Sequence, residues 1–312
     1  MLKQIIDIFE LLDSPSASGA VVRDYIMETG EAECEINRAA SDKGETDFIR
    51  ITIPGMDGCA IGGDAPTLGI IGRLGGLGAR PERIGFVSDG DGALAVLAAA
   101  AKLAKMAAQG DRLAGDVIIS THICPDAPTR PHTPVPFMDS PIPMDIKNKW
   151  EVSPEMDAIL SVDTTKGNKI LNHRGFALSP TVKEGYILKT SDDLLDLMAQ
   201  VTGKLPQVFA LAQQDITPYG NGLYHLNSIM QPCTATAAPV VGVAITTEVP
   251  VAGCATGATH LTDVEAAARF TLEVAKSFTG GICAFYDQAE FAEITKLYGP
   301  MDHFQAGGKV TA

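Results

Sequence analysis

A series of short apolar runs constrains this sequence most. LGIIG at 68–72, IGFV at 84–87, DVIIST at 116–121, AILSVD at 158–163 and VVGVAIT at 240–246 are too short for buried helices, and most are closed by a glycine or a polar residue. Apolar on both faces, such runs read as strands covered above and below, the pattern of a parallel sheet. FIRITI at 48–53 alternates instead, like a half-buried strand, and a further strand is expected near 208–211. Between the runs lie segments with helical spacing at 2–12, 20–27, 191–201 and 263–278. ALAVLAAAAKLAKMAAQ at 93–109 is the clearest of these helices, because alanine loses no side-chain entropy on entering one. The β-then-α order predicts an α/β fold, a mainly parallel or mixed central sheet with helices on both faces. One domain over residues 1–312 accommodates it.

Composition narrows the function. Of the 312 residues, 46% are hydrophobic and 20% charged, which is the make-up of a folding chain. A net charge of −14, with no Lys/Arg block, excludes nucleic acid and anionic membrane surfaces as partners. No stretch is long and apolar enough to span a bilayer, and the N-terminal segment MLKQIIDIFELLDSP lacks the form of a secretion signal. A cytoplasmic protein is expected. The six cysteines are scattered without a C-x-x-C pair, as for reduced thiols. A slightly positive mean hydropathy together with 31 glycines points to a homo-oligomer. The glycine runs GRLGGLG and DGDG are not followed by Lys-Ser/Thr, so no nucleotide cofactor is expected.

In open α/β sheets, ligands bind at the carboxyl ends of the strands. Asp89 and Asp91 follow IGFV, His122, Cys124 and Asp126 follow or end DVIIST, and Asp163 ends AILSV. Oxygen donors grouped in this way suit a divalent cation. Any one aspartate alone is better explained as a helix cap, Asp89 above all, and it is the set that favours a site.

LLDSPSASGAVVRDYI, SDGDGALAVLAAAAKLAKM, DVIISTHICPDAP, AILSVDTTKGN and APVVGVAITTEVP together resemble the zinc exopeptidases, in particular their glutamyl- and deblocking-aminopeptidase branch. The resemblance implies that architecture, with Asp89 as the metal-bridging carboxylate, Asp126 in place of a second glutamate and Asp163 as the terminal carboxylate ligand. It also marks departures. Arg73-Leu74-Gly75 stands where the family has its first histidine, 251–253 where it has its last, and Pro125 where it has its general base. The spacing of Arg73 and Asp89 leaves no room for the family's inserted lid domain. His122 is the expected replacement base or ligand and His132 a further ligand for zinc or manganese, while Arg73, Asp91 and His173 are expected to contact substrate. The function so implied is metal-dependent hydrolysis of a small peptide-like or cyclic amide. Two alternatives stand beside it: a non-catalytic, exopeptidase-like protein that binds a small ligand or partner, and a hydrolase using Cys124 with a histidine.

Overall fold

The computed structural model describes residues 1–133, 135–212, 223–251 and 256–305. Its strands are β1 (Glu33–Ser41), β2 (Gly44–Ile53), β3 (Leu68–Gly72), β4 (Val117–Ile123), β5 (Thr129–Arg130), β6 (Phe137–Met138), β7 (Ala158–Thr164), β8 (Gly175–Leu178), β9 (Val182–Lys183), β10 (Tyr186–Ile187) and β11 (Val240–Thr246). Nine of them form one sheet in the order β1-β2-β4-β3-β7-β11-β9-β10, with β8 also paired to β11. The centre, β4-β3-β7-β11, is parallel, and antiparallel strands flank it on both sides. β5 and β6 make a separate small hairpin. The sheet is therefore mixed.

Period-two alternation divides the core. Leu68 and Ile70 of β3 face one layer with Ile119 and Leu160, packed by α1 (Leu2–Leu12), α3 (Asp91–Ala108) and α6 (Leu261–Thr279). Ile71, Ile118 and Ile159 face the other, against Met156, Phe209 and Met230. The remaining helices are α2 (Gly19–Thr29), α4 (Met144–Glu151), α5 (Asp192–Thr202) and α7 (Gln288–Tyr298). Ser18 and Ser191 cap α2 and α5 by accepting the N–H groups of Val21 and Leu194. Among the described residues, no helix is long and apolar enough to cross a membrane. The described cysteines are free thiols, and Cys254 lies outside the described residues.

Two expected strands are not formed. Residues 84–87 are loop, because the Phe86 N–H donates to the Asp13 carboxylate (2.5 Å) and the Val87 N–H to the Leu77 carbonyl (2.9 Å), which takes them away from the sheet. Around 208 a single bridge, Leu178 to Val208, replaces a strand. The structure adds β1, the β8–β10 strands, α4 and α7 to the elements expected.

The alanine run of α3 is buried over nearly its whole circumference, which lets the helix approach the strand ends closely. A Cβ on Gly92 would stand 1.9 Å from the Arg73 carbonyl oxygen and 2.5 Å from that of Val162. The start of α3 is thus pressed into the gap between β3 and β7. Replacing Gly92 by Ala is expected to destabilise the fold by about 1–3 kcal/mol through overpacking, read as a lower midpoint in denaturant unfolding.

Candidate functional site

The chain leaves β3 towards β4 through α3 and then crosses back to place β7 on the other side of β3. Where strand order reverses, the loops after neighbouring strands part and leave a crevice. A cavity of about 520 Å³ lies there. Leu74 and Gly76 after β3, His122 and Cys124 at the end of β4, and Asp89 before α3 line it, with Met138 of β6 and Lys147 of α4. The hairpin β5–β6 contributes Arg130, Phe137 and Met138 to its wall. Asp139 ties that hairpin down, accepting from Arg130 (2.6 Å) and from Lys43 on the β1–β2 turn (3.2 Å). Burial alone would raise the Asp139 pKa, but Arg130, the Ser140 N–H and Lys43 outweigh it and hold the carboxyl at about 2.

Beneath the cavity is a buried charge network. Glu151, fully buried at the end of α4, accepts from His122 Nδ1 at 2.7 Å and faces Arg73 Nε at 3.0 Å. The Arg73 contact is one of charge, off the angle of a hydrogen bond. Arg73 also donates to Asn148 Oδ1 (2.6 Å). Burial opposes the Glu151 charge, yet Arg73, His122 and Lys147 together keep its carboxyl below the ordinary carboxylate range. α4 is held against β2 and β4 at its carboxyl end, where Ser120 Oγ donates to the Glu151 carbonyl (2.5 Å) and Arg50 to that of Trp150 (2.9 Å).

His122, the expected base, is committed within this network. The Gly75 N–H donates to its Nε2 (3.0 Å), which puts the ring proton on Nδ1 and aims it at Glu151. Burial pushes its pKa down to about 4. Both nitrogens are engaged, and the imidazole works as a positioning group. Cys124 is held as a thiol: burial pushes its pKa up to about 11, far from a thiolate at neutral pH. Arg73, expected to hold substrate, is only 1% exposed and is spent on Glu151 and Asn148.

The expected metal ligands do not converge. Asp89 lines the cavity, and Asp163 is buried at the end of β7, where it accepts the Thr164 N–H (2.7 Å). Asp126 is exposed and faces a second cavity on the far side of the Pro125 turn. His132 is exposed on the hairpin, bonded to the Val135 carbonyl (3.0 Å) and stacked on Phe137. Among the described residues, no three His, Cys, Asp or Glu side chains are grouped so that they could hold a metal ion. The ligand set implied by the resemblance thus does not fit a zinc or manganese centre here, and residues 252 and 253 of the last histidine position lie outside the described residues.

The other two expected substrate contacts are tied up locally. Asp91, fully buried in the first turn of α3, accepts from Lys166 Nζ (3.0 Å) and Thr259 (2.7 Å), while burial raises its pKa. His173 meets the Phe176 carbonyl (3.0 Å).

The residue that the sequence reading missed is Lys147. It lines the cavity at 1% exposure, and no described residue accepts a hydrogen bond or an ion pair from its ammonium. Burial lowers its pKa, against the attraction of Glu151 and with the repulsion of Arg73, while Asp89 opposes the shift more weakly. The available signal was Lys147–Glu151 at i,i+4 after Pro143, a helix start and a charged pair.

Two outcomes are expected from the network. Glu151→Gln leaves the Arg73 charge buried without its partner and is expected to cost about 3–5 kcal/mol, measured by denaturant unfolding. His122 has a folded pKa of about 4 against an ordinary 6.5, so the folded state binds fewer protons between these values. Its contribution is complete above pH 6.5 and declines as the pH falls towards about 4. The thermal midpoint should drop across that window, and the part due to this residue should vanish in His122→Gln.

No curated protein matches the sequence. A leucine aminopeptidase from Caenorhabditis elegans superposes with a TM-score of 0.51 at 11% identity, covering 88% of this chain and 65% of that one. The bottromycin maturation enzyme BotP in complex with Mn gives 0.48 at 15% identity, over 85% and 66%. A cytosol aminopeptidase from Coxiella burnetii gives 0.47 at 14%, over 86% and 68%. The chain spans about two thirds of the length of these structures. Identities this low speak for fold alone, and that fold is the aminopeptidase-like α/β fold. In sequence, the model of a family described as "Protein of unknown function (DUF1177)" matches residues 37–308, and the chain belongs to that family.

Proposed function

We propose that this protein is a hydrolase of a small peptide-like or cyclic amide, bound in the cavity over β3 and β4. One observation supports this reading above the rest: a buried lysine with no hydrogen-bond or ion-pair partner among the described residues, Lys147, lines one cavity with Asp89 at the strand-order reversal. The aminopeptidase-like fold agrees with it. Apolar lining from Leu74, Met138 and Ile142 would take the body of the substrate. The Lys147 amine, whose pKa burial lowers, would accept the proton of the attacking water and return it to the departing nitrogen. On this reading residues 1–312 form one domain without an inserted lid, in the glutamyl/deblocking branch of the zinc exopeptidases. No step is routed through a metal, because Asp126 and His132 lie apart from Asp89.

A second reading, a non-catalytic binder, draws support from the engaged state of His122 and the protonated state of Cys124. Hydrolysis of dipeptides, N-acyl amino acids and small cyclic amides by untagged protein separates the two. Turnover that falls at least about a hundred-fold in Lys147→Met, with folding retained, is expected of the hydrolase. Binding without turnover in the wild type selects the binder. Metal analysis of the same preparation adds a check, since stoichiometric zinc or manganese that disappears in Asp89→Ala and Asp163→Ala would replace the lysine mechanism with a metal-based one.

A further inference from the structure

We infer that the Lys147 amine is a nucleophile towards small aldehydes and ketones that enter the cavity, condensing with them to an imine. The inference rests on the same cavity as the hydrolase reading, but its test needs no amide turnover, so the two can fail separately.

The geometry isolates this lysine. It stands in the middle of α4 at 1% exposure, lines the chamber, and has no hydrogen-bond or ion-pair partner among the described residues. An ammonium left alone in such surroundings is costly, so burial favours the free amine, whose lone pair is the nucleophile. An anionic ligand is the other obvious way to meet a buried lysine. Here Asp89 in the same wall carries a charge of the wrong sign for an anion, while the charges of Arg73 and Glu151 answer one another and leave no further cation to receive it. A neutral carbonyl compound with an apolar body meets neither objection. It suits walls formed by Leu74, Ala127, Met138 and Ile142, and a volume of about 520 Å³.

The step balances without an oxidant or reductant. The Nζ lone pair adds to the carbonyl carbon as the C=O π pair moves to oxygen, and one N–H proton passes to that oxygen, giving a carbinolamine. The nitrogen lone pair then expels the oxygen, which leaves as water with the second N–H proton. The C–O bond is replaced by C=N.

Lys149 supplies an internal control, because it lies two residues away on the same helix but is exposed, over the Trp150 ring. The full-length protein is treated near neutral pH with isovaleraldehyde, benzaldehyde or acetone, then with borohydride, and the alkylated lysines are located by peptide mass spectrometry. Lys147 is expected to be labelled about ten-fold faster than Lys149 or more, the advantage of a cavity that holds the carbonyl beside the amine. Lys147→Arg should abolish the fast label. Labelling of Lys147 no faster than Lys149 in the folded wild type overturns the inference, and that comparison needs no variant to fold.

Discussion

The Glu151 carboxylate is the constraint on which the site depends. It is fully buried, and it joins three separate pieces of chain: the end of β3 through Arg73, the end of β4 through His122, and α4, which carries it. A buried carboxylate persists as a charge only where neighbours oblige it to, and Arg73 does so here. Once α4 is docked in this way, the residue one turn earlier on the same helical face must also point inward. That residue is Lys147, and its isolation follows from the pairing of its neighbours.

The same network explains why an imidazole at a strand end is no base. A histidine that accepts from a backbone N–H and donates to a carboxylate has neither nitrogen left for substrate. The crevice itself belongs to the topology, since it opens where β4 and β7 lie on opposite sides of β3. Its chemistry belongs to a helix laid over it from the other side. Fold and chemistry therefore have different origins in the chain, and likeness to aminopeptidases in the first carries no ligand set into the second.

Most of the sheet was legible because its central strands are apolar runs bounded by glycines or polar residues, and β3 and β11 lie where those runs fall. IGFV looked the same and is loop. A side chain 73 residues earlier, Asp13, claims the Phe86 N–H, and no local pattern reveals such a bond. α4 was hidden for a different reason. Its buried positions are Lys147, Asn148 and Glu151, so its inward face reads as a solvated one, an inversion of the usual amphipathic pattern. Of the carboxylates expected at strand ends, Asp163 lies at the end of β7, whereas Asp89 and Asp91 follow a loop and Asp126 lies beyond the end of β4. Asp126 follows Pro125, whose carbonyl accepts from Arg80, and the chain there turns out of the cavity.

The alanine lining of α3 also bears on how this scaffold can change. Alanine has no rotamers to redistribute, so the layer between α3 and the sheet cannot absorb a larger neighbour by rearrangement. The opposite layer holds Met156 and Met230, and Met138 and Met144 border the cavity. Methionine is unbranched and adapts its shape at little energetic cost. Met138 and Met144 thus give the wall of the cavity a freedom of shape that the alanine-packed contact of α3 with the sheet does not have.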